Sequence, residues 1–371
     1  MKYKLLVLDV DGTLLNNERQ ISKRTLSALL KVQQAGVKIA LASGRPTYGI
    51  IPLAKALELG NYGGYVISYN GCQIIKAENG EIIFERRINP ELIPYLEKKA
   101  RKNNFDIFTY HDDTILTSNP DNPHIRQEAA LNGLKIIKED EFSAAIDFSP
   151  CKVMLVSDDY DALADLESKW KKRLAGTLDV FPSEPFYLEA VPWGIDKANT
   201  SGVLLEELGI SREETMAIGD GVADVTMLQM AGLAVAMGHA PDSVKVCADQ
   251  VTGTNEEDGV AQAVEKAILA EVHASEIPLD FLNEVGKTAL MGNLGIQYTY
   301  ASEDRIEATM PVDQRTRQPF GILHGGATLA LAETVAGLGS MITVKPDEIV
   351  VEMQVSGNHI SSAHEGDTVR A

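Results

Sequence analysis

Tyr3-Lys4-Leu5-Leu6-Val7-Leu8-Asp9-Val10-Asp11-Gly12-Thr13 is an apolar run of strand length that ends on an aspartate, with a second aspartate just before a glycine and a threonine. Uninterrupted apolar character is the signature of a strand covered on both faces, as in a parallel sheet, and Gly12 marks the turn out of it. In open α/β sheets ligands bind in the crevice beyond the carboxyl ends of the strands. Asp9 and Asp11 therefore stand where chemistry is done. Taken alone, such a pair reads first as an acidic turn after an ordinary strand, so the decision rests on what the other strand ends carry.

The chain has 371 residues, 44% of them hydrophobic and 23% charged, which is the mixture of a folded protein with two or three domains. Its formal net charge of -19 argues against a nucleic-acid partner, because phosphate backbones select basic faces. Small anionic substrates need only a local positive site and remain open. Three scattered cysteines, Cys72, Cys151 and Cys247, form no paired motif and read as reduced thiols of a cytoplasmic protein. The first apolar run stops at Asp9 and the later one near Leu329 is broken by Glu333, so neither secretion nor membrane insertion is expected.

Further strand ends carry chemistry of their own. Val37 to Ala42 is a second buried strand running into Ser43-Gly44-Arg45-Pro46, where a hydroxyl and helix N-terminal amides can meet a phosphate, although a simple serine cap explains the pattern equally well. Tyr65 to Ser68 leads through the turn Tyr69-Asn70-Gly71 into two more short strands. From Asn89 to about Pro185 the texture is that of a compact α+β insert with no catalytic cluster; His111, Asp112 and Asp113 read as an exposed acidic turn. The βα rhythm then returns. Lys197 opens a helix against the macrodipole, a placement that invites an anion-binding reason. Met216 to Gly219 is a strand ending on Asp220-Gly221-Val222-Ala223-Asp224. In a doubly wound sheet these ends converge, and carboxylates gathered in one place are costly without a cation such as Mg²⁺.

These residues resemble the haloacid dehalogenase superfamily of phosphotransferases, in its Cof-type sugar-phosphatase-like branch. The four motifs stand in order as Asp9 to Thr13, Ser43-Gly44-Arg45, Lys197 and Gly219 to Asp224, over about Met1 to Val272. The resemblance implies that Asp9 attacks phosphorus to form an aspartyl-phosphate, and that Asp11 protonates the leaving oxygen and then activates water. It implies that Ser43, with Gly44, and Lys197 hold the phosphoryl group. Mg²⁺ would lie with Asp9, Asp11 (through its backbone carbonyl), Asp220 and Asp224. Many members place asparagine before the last aspartate, where this chain has Ala223, so a hydrogen bond near the metal is missing and altered substrate choice or lower activity is implied.

After the polar stretch His273 to Pro278 the pattern changes to a short helix and alternating strands, Gly295 to Tyr300 and Arg305 to Met310, as antiparallel strands with one wet face show. Gln318-Pro319-Phe320-Gly321 and His324-Gly325-Gly326 then precede an apolar helix, Ala327 to Ile342, whose only charge is Glu333. A carboxylate among Leu329, Leu331 and Val335 is costly unless paired or functional, and the glycines leave bare amides for a thioester carbonyl. Leu290 to Ala371 resembles hotdog-fold acyl-CoA thioesterases of the PaaI-like group, in particular the branch acting on aromatic acyl-CoA such as 1,4-dihydroxy-2-naphthoyl-CoA. Gly357-Asn358-His359 also carries that likeness. It implies Glu333 as base or nucleophile, Gly325 and Gly326 at the thioester with the Gly326 amide polarising the carbonyl, and Gln318 and His324 in positioning. Sites in that family form between subunits, so a dimer or tetramer is implied. Against the family pattern the chain stops early, mid-strand at Val369-Arg370-Ala371, and the domain is expected to be partial.

The expected fold class is α/β. A Rossmann-like core of haloacid dehalogenase type would span 1–88 and 186–272, with a C2-type cap at 89–185, a linker at 273–279 and an incomplete α+β hotdog domain at 280–371. The expected function is a cytoplasmic bifunctional hydrolase acting on a small phosphorylated metabolite and on an acyl-CoA. The alternative is a phosphatase whose hotdog module only oligomerises or senses acyl-CoA.

Overall fold

The computed structural model describes residues 2–270, 279–302, 305–344, 350, 356–357 and 361–371. The chain divides into two units, Met1–Ile268 and Leu269–Ala371. The expected linker at 273–279 lies, but for Leu279, outside the described residues, as do Asn358 and His359.

In the first unit, β1 (Leu5–Asp9) is buried along its whole length. It lies between β2 (Lys38–Ala42) and β12 (Thr215–Gly219), parallel to both. Its apolar run is thereby explained, since a strand with neighbours on both edges and cover on both faces has no wet side. Outward from β12 come β13 (Leu233–Ala236) and β14 (Gln250–Val251), and beyond β2 come β3 (Tyr65–Ser68), β4 (Gln73–Lys76) and β5 (Ile82–Glu85). β4 pairs antiparallel with both β3 and β5. Local signals start the flanking helices: Ser22 accepts from the Thr25 amide before Lys23–Gln34, and Asp196 accepts from the Asn199 amide before Lys197–Leu208.

A six-stranded sheet is inserted between β5 and β12, in the order β10-β11-β9-β6-β7-β8. Its strands are β6 (Asp106–His111), β7 (Thr114–Thr117), β8 (Lys135–Lys138), β9 (Val153–Val156), β10 (Leu178–Glu184) and β11 (Tyr187–Pro192). By sheet membership the chain leaves this layer after Pro192 rather than at 185, because Tyr187 to Ala190 pair with β9. Trp170, Leu166 and Leu163 of the helix Tyr160–Arg173 fill the core behind it. On the facing side, Tyr69 and Cys72 from the turn between β3 and β4 share one buried cluster with Phe108, Tyr110, Met154 and Val191 of the second sheet. Each buried side chain of this size contributes roughly 1.5–3 kcal/mol, so the contact between the layers is a cohesive one.

The second unit holds β15 (Gln297–Ala301), β16 (Ile306–Pro311) and β17 (Thr368–Arg370) in one antiparallel sheet. The helix Gly325–Met341 packs on it through Ala327 and Leu331, against Tyr298, Ala308 and Met310.

Candidate active site

Parallel register brings the chemistry together. Asp9 stands level with Ala42 and Leu8 with Ile218, so the residues just past β1, β2 and β12 share one edge of the sheet. There Asp9, Asp220 and Asp224 each offer an oxygen, all within 4.8 Å of one another. Lys197 reaches in from the start of its helix, 2.5 Å from Asp9 Oδ1 and 2.6 Å from Asp224 Oδ1. The other oxygen of Asp224 accepts from the Asp220 and Gly221 amides at 3.1 and 2.9 Å. Asp224 thus has both oxygens in use and braces the cluster, whereas Asp9 and Asp220 keep more capacity for a cation. Thr13 Oγ1 donates to Asp220 Oδ1 at 2.6 Å. Gly12 has φ +83, and a Cβ there would lie 2.5 Å from Asp220 Oδ2, so both its conformation and its bareness are needed.

The electrostatics match the crowding. Burial, reinforced by Asp224 and Asp220 and opposed by Lys197, pushes the Asp9 carboxyl well above the ordinary carboxylate range. Burial likewise raises Asp220. Desolvation would lower Lys197, but Asp9 and Asp224 outweigh it and raise the ammonium. Two carboxylates pushed toward neutrality beside a third are the donor set of a hard cation, and the oxygens present fit Mg²⁺.

Asp11 stands outside that cluster. Its carboxylate is gripped by Arg45, Nε to Oδ2 at 2.7 Å and Nη2 to Oδ1 at 2.5 Å. Ser43 is buried and accepts from the Arg45 amide at 3.1 Å. Above these residues opens a cavity of about 310 Å³, with Asp11, Ser43 and Arg45 on one wall and Tyr110, Glu128 and Lys152 of the inserted layer on the other. A larger cavity of about 460 Å³ shares Tyr110 but none of the acidic cluster. The roles of Arg45 and Thr13 were not read from the sequence, although both lie within the quoted motifs. Glu128, Lys152 and Glu189 were missed outright; the available signal was a charge inside an apolar run, as with Glu189 in Tyr187-Leu188-Glu189-Ala190-Val191.

In the second unit, His324 caps the helix Gly325–Met341: its Nδ1 accepts from the Gly326 amide at 2.9 Å. The amide expected to polarise a thioester carbonyl is therefore already engaged. Gln318 is half-buried, and its backbone N–H donates to Ile322 O at 2.8 Å. Gly325 is half-buried and Gly326 exposed. Glu333 is exposed within this single chain and makes no hydrogen bond or ion pair among the described residues.

Residues 6–264 match the haloacid dehalogenase-like hydrolase family, and residues 320–371 match the thioesterase superfamily. The chain belongs to the haloacid dehalogenase-like hydrolases and carries a thioesterase-superfamily domain. It is 30% identical over 267 residues to the 5-amino-6-(5-phospho-D-ribitylamino)uracil phosphatase YcsE of Bacillus subtilis, covering 72% of this chain and 96% of that one. A haloacid dehalogenase-like hydrolase from Bacteroides thetaiotaomicron superposes with a TM-score of 0.69 at 46% identity, over 71% of this chain and 99% of that one. The 1,4-dihydroxy-2-naphthoyl-CoA hydrolase of Escherichia coli is 42% identical over 91 residues, which is 24% of this chain and 67% of that protein. No helix among the described residues is long and apolar enough to cross a membrane.

Proposed function

We propose that the chain is a bifunctional hydrolase, a Mg²⁺-dependent phosphate monoesterase joined to an acyl-CoA thioesterase. The observation that carries the first half is the convergence of Asp9, Asp220 and Asp224 within 4.8 Å, with Lys197 beside them. Asp9 and Asp220 would hold Mg²⁺ with the Asp11 backbone carbonyl, and Asp224 would brace them. When bound, the ion masks phosphoryl charge so that a carboxylate can approach. Asp9 is the nucleophile, bonding to phosphorus as the ester oxygen leaves. Asp11, aimed by Arg45, gives that oxygen its proton and then takes one from the water that cleaves the aspartyl-phosphate. Ser43 and the Gly44 region hold the phosphoryl oxygens, and Lys197 supplies the fixed positive charge. The cavity of about 310 Å³ suits a small phosphorylated metabolite.

For the second half, Glu333 acts as base or nucleophile, the Gly325–Gly326 segment receives the thioester carbonyl, and Gln318 and His324 position it. The likeness to the Escherichia coli hydrolase supports an aromatic acyl-CoA. The helix bearing Glu333 buries only Ala327 and Leu331, leaving Leu329, Val335 and Leu338 half-covered, which supports a homodimer or tetramer completing the site. Three free cysteines support a cytoplasmic setting. A second reading, in which this unit binds without catalysing, is favoured by the engaged Gly326 amide and by a Glu333 that has no partner among the described residues.

The deciding experiment assays aryl phosphate and acyl-CoA hydrolysis in one sample of the wild type, Asp9→Asn and Glu333→Ala. Each substitution should abolish one activity and spare the other. Retention of both activities in both variants overturns the assignment, and wild-type phosphatase activity alone selects the second reading.

A further inference from the structure

The wall of the active-site cavity holds a buried cation that the chemistry above does not use. The Lys152 side chain is only 3% exposed, and such a charge needs compensation. Its ammonium donates to Glu189 Oε2 at 3.0 Å and to the Gly44 carbonyl oxygen at 2.8 Å. Glu189 is 5% exposed and also accepts from Asn70 Nδ2 at 2.7 Å. Lys152 and Glu189 come from the inserted six-stranded layer; Gly44 and Asn70 come from the segments that follow β2 and β3. The network therefore crosses from one layer to the other.

The peptide that Lys152 grips joins Gly44 to Arg45. Its carbonyl accepts from Lys152, and its N–H donates to Ser43 Oγ at 3.1 Å. With that lone pair in use, the Ser43 hydroxyl proton is free to point at a phosphoryl oxygen. The next side chain, Arg45, holds Asp11. One ammonium thus sets the plane of a peptide on which both the hydroxyl and the Arg45–Asp11 pair depend. A Cβ at Gly44 would lie 2.5 Å from Asn70 Oδ1, so the loop has little room to shift toward Asn70.

We propose that Lys152 is a positioning residue of the phosphatase site. It reaches Gly44 only when the inserted layer is docked, and it orients the Gly44–Arg45 peptide, and through it Ser43, with Glu189 as its counter-ion. Buried ion pairs are poor sources of net stability and are best attested as devices that set register. Here a layer docked out of place keeps the ion pair but strips it of its two cross-layer partners, the Gly44 carbonyl and the Asn70 amide. The catalytic consequence rests on the phosphatase reading, whereas ordering of the anion site is measurable without turnover.

The test compares the full chain carrying Lys152→Met with Glu189→Gln against Glu189→Gln alone, so that losing Lys152 leaves no buried carboxylate unpaired and Asn70 keeps an acceptor. A small aryl phosphate and a bulky phosphate ester should lose kcat alike, by roughly 10–100-fold, since a loop misplaced by an ångström costs that much. Calorimetric affinity for inorganic phosphate, with Mg²⁺ present, should weaken by about tenfold, the scale of lost supporting contacts. Unchanged kcat and phosphate affinity overturn the proposal. So does a loss confined to the KM of the bulky ester, which would make Lys152 a direct substrate contact. If the wild type hydrolyses no phosphate ester, the phosphatase reading fails, and phosphate affinity still decides the role of Lys152. Should the methionine variant not fold, Lys152→Gln in the same background replaces it.

Discussion

Arg45 holds both oxygens of the Asp11 carboxylate, with a guanidinium 9% exposed gripping a carboxylate that is 50% exposed. A buried fork thus presents a wet acid to the cavity. Lysine is a point charge on a flexible stem and cannot reproduce that two-point grip. Arg45→Lys is expected to lower kcat by roughly 10–100-fold, because in the proposed mechanism Asp11 is then no longer aimed at the leaving oxygen. Steady-state kinetics on an aryl phosphate checks this, and a wild-type kcat would remove Arg45 from the role.

Metal binding should be visible as stability. The Asp9 carboxyl is pushed up by burial, Asp224 and Asp220, so in the metal-free fold its charged form is disfavoured. A folded pKa above the unfolded one means that the stability Asp9 contributes falls as pH rises from the unfolded value through the folded one. At neutral pH, Asp9→Asn should therefore raise the metal-free Tm, by roughly 2–4 °C for each kcal/mol relieved. In the wild type, Mg²⁺ at a hundredfold excess over its Kd should stabilise the fold by about 2.7 kcal/mol, and a chelator should reverse this. Asp9→Asn should shrink the Mg²⁺ effect. Thermal scans with and without Mg²⁺ decide; a Mg²⁺ shift equal in both proteins counts against the donor set.

Ala223 sits exposed between Asp220 and the buried Asp224. Ala223→Asn supplies the side-chain amide that the family resemblance implies at this position. It should tighten Mg²⁺ by up to roughly tenfold, the low end of what supporting contacts contribute. Titration of phosphatase activity against Mg²⁺ checks this; an unchanged midpoint shows that the missing amide is of no consequence here.

Glu333 is exposed and makes no hydrogen bond or ion pair among the described residues of the single chain. Glu333→Ala should leave thermal stability within about 0.5 kcal/mol, as surface changes without partners do. Its effect on acyl-CoA hydrolysis should nonetheless be complete. A wild-type thioesterase rate in that variant would place the catalytic carboxylate elsewhere.

The sheet was legible because β1 is an unbroken apolar run and β2 is apolar from Ile39 to Ala42, and both end abruptly on polar residues at the strand end, where ligands bind. Lys197 was legible as well, since a lysine opening a helix works against the dipole. The inserted layer was readable as α+β but its contribution to the cavity was not. Lys152 and Glu189 are 37 residues apart, and only antiparallel pairing of β11 with β9 brings them together. Glu333 shows the opposite failure. Its apolar neighbours in sequence point to burial, yet the folded single chain fully buries only Ala327 and Leu331 of this helix and leaves Glu333 exposed, so hydropathy alone overstates its burial.

The central strand β1 has a long wait for one of its neighbours. Leu5 pairs with Lys38 soon after both are made, but its other partner is Thr215. At about 5–20 residues per second, ribosomal synthesis leaves roughly 10–40 s between the two. Throughout that interval one edge of the strand bearing Asp9 is bare on the nascent chain. The acidic cluster is incomplete until Asp224 has emerged, so the half-made protein carries Asp9 and Asp11 without the residues that would make them reactive.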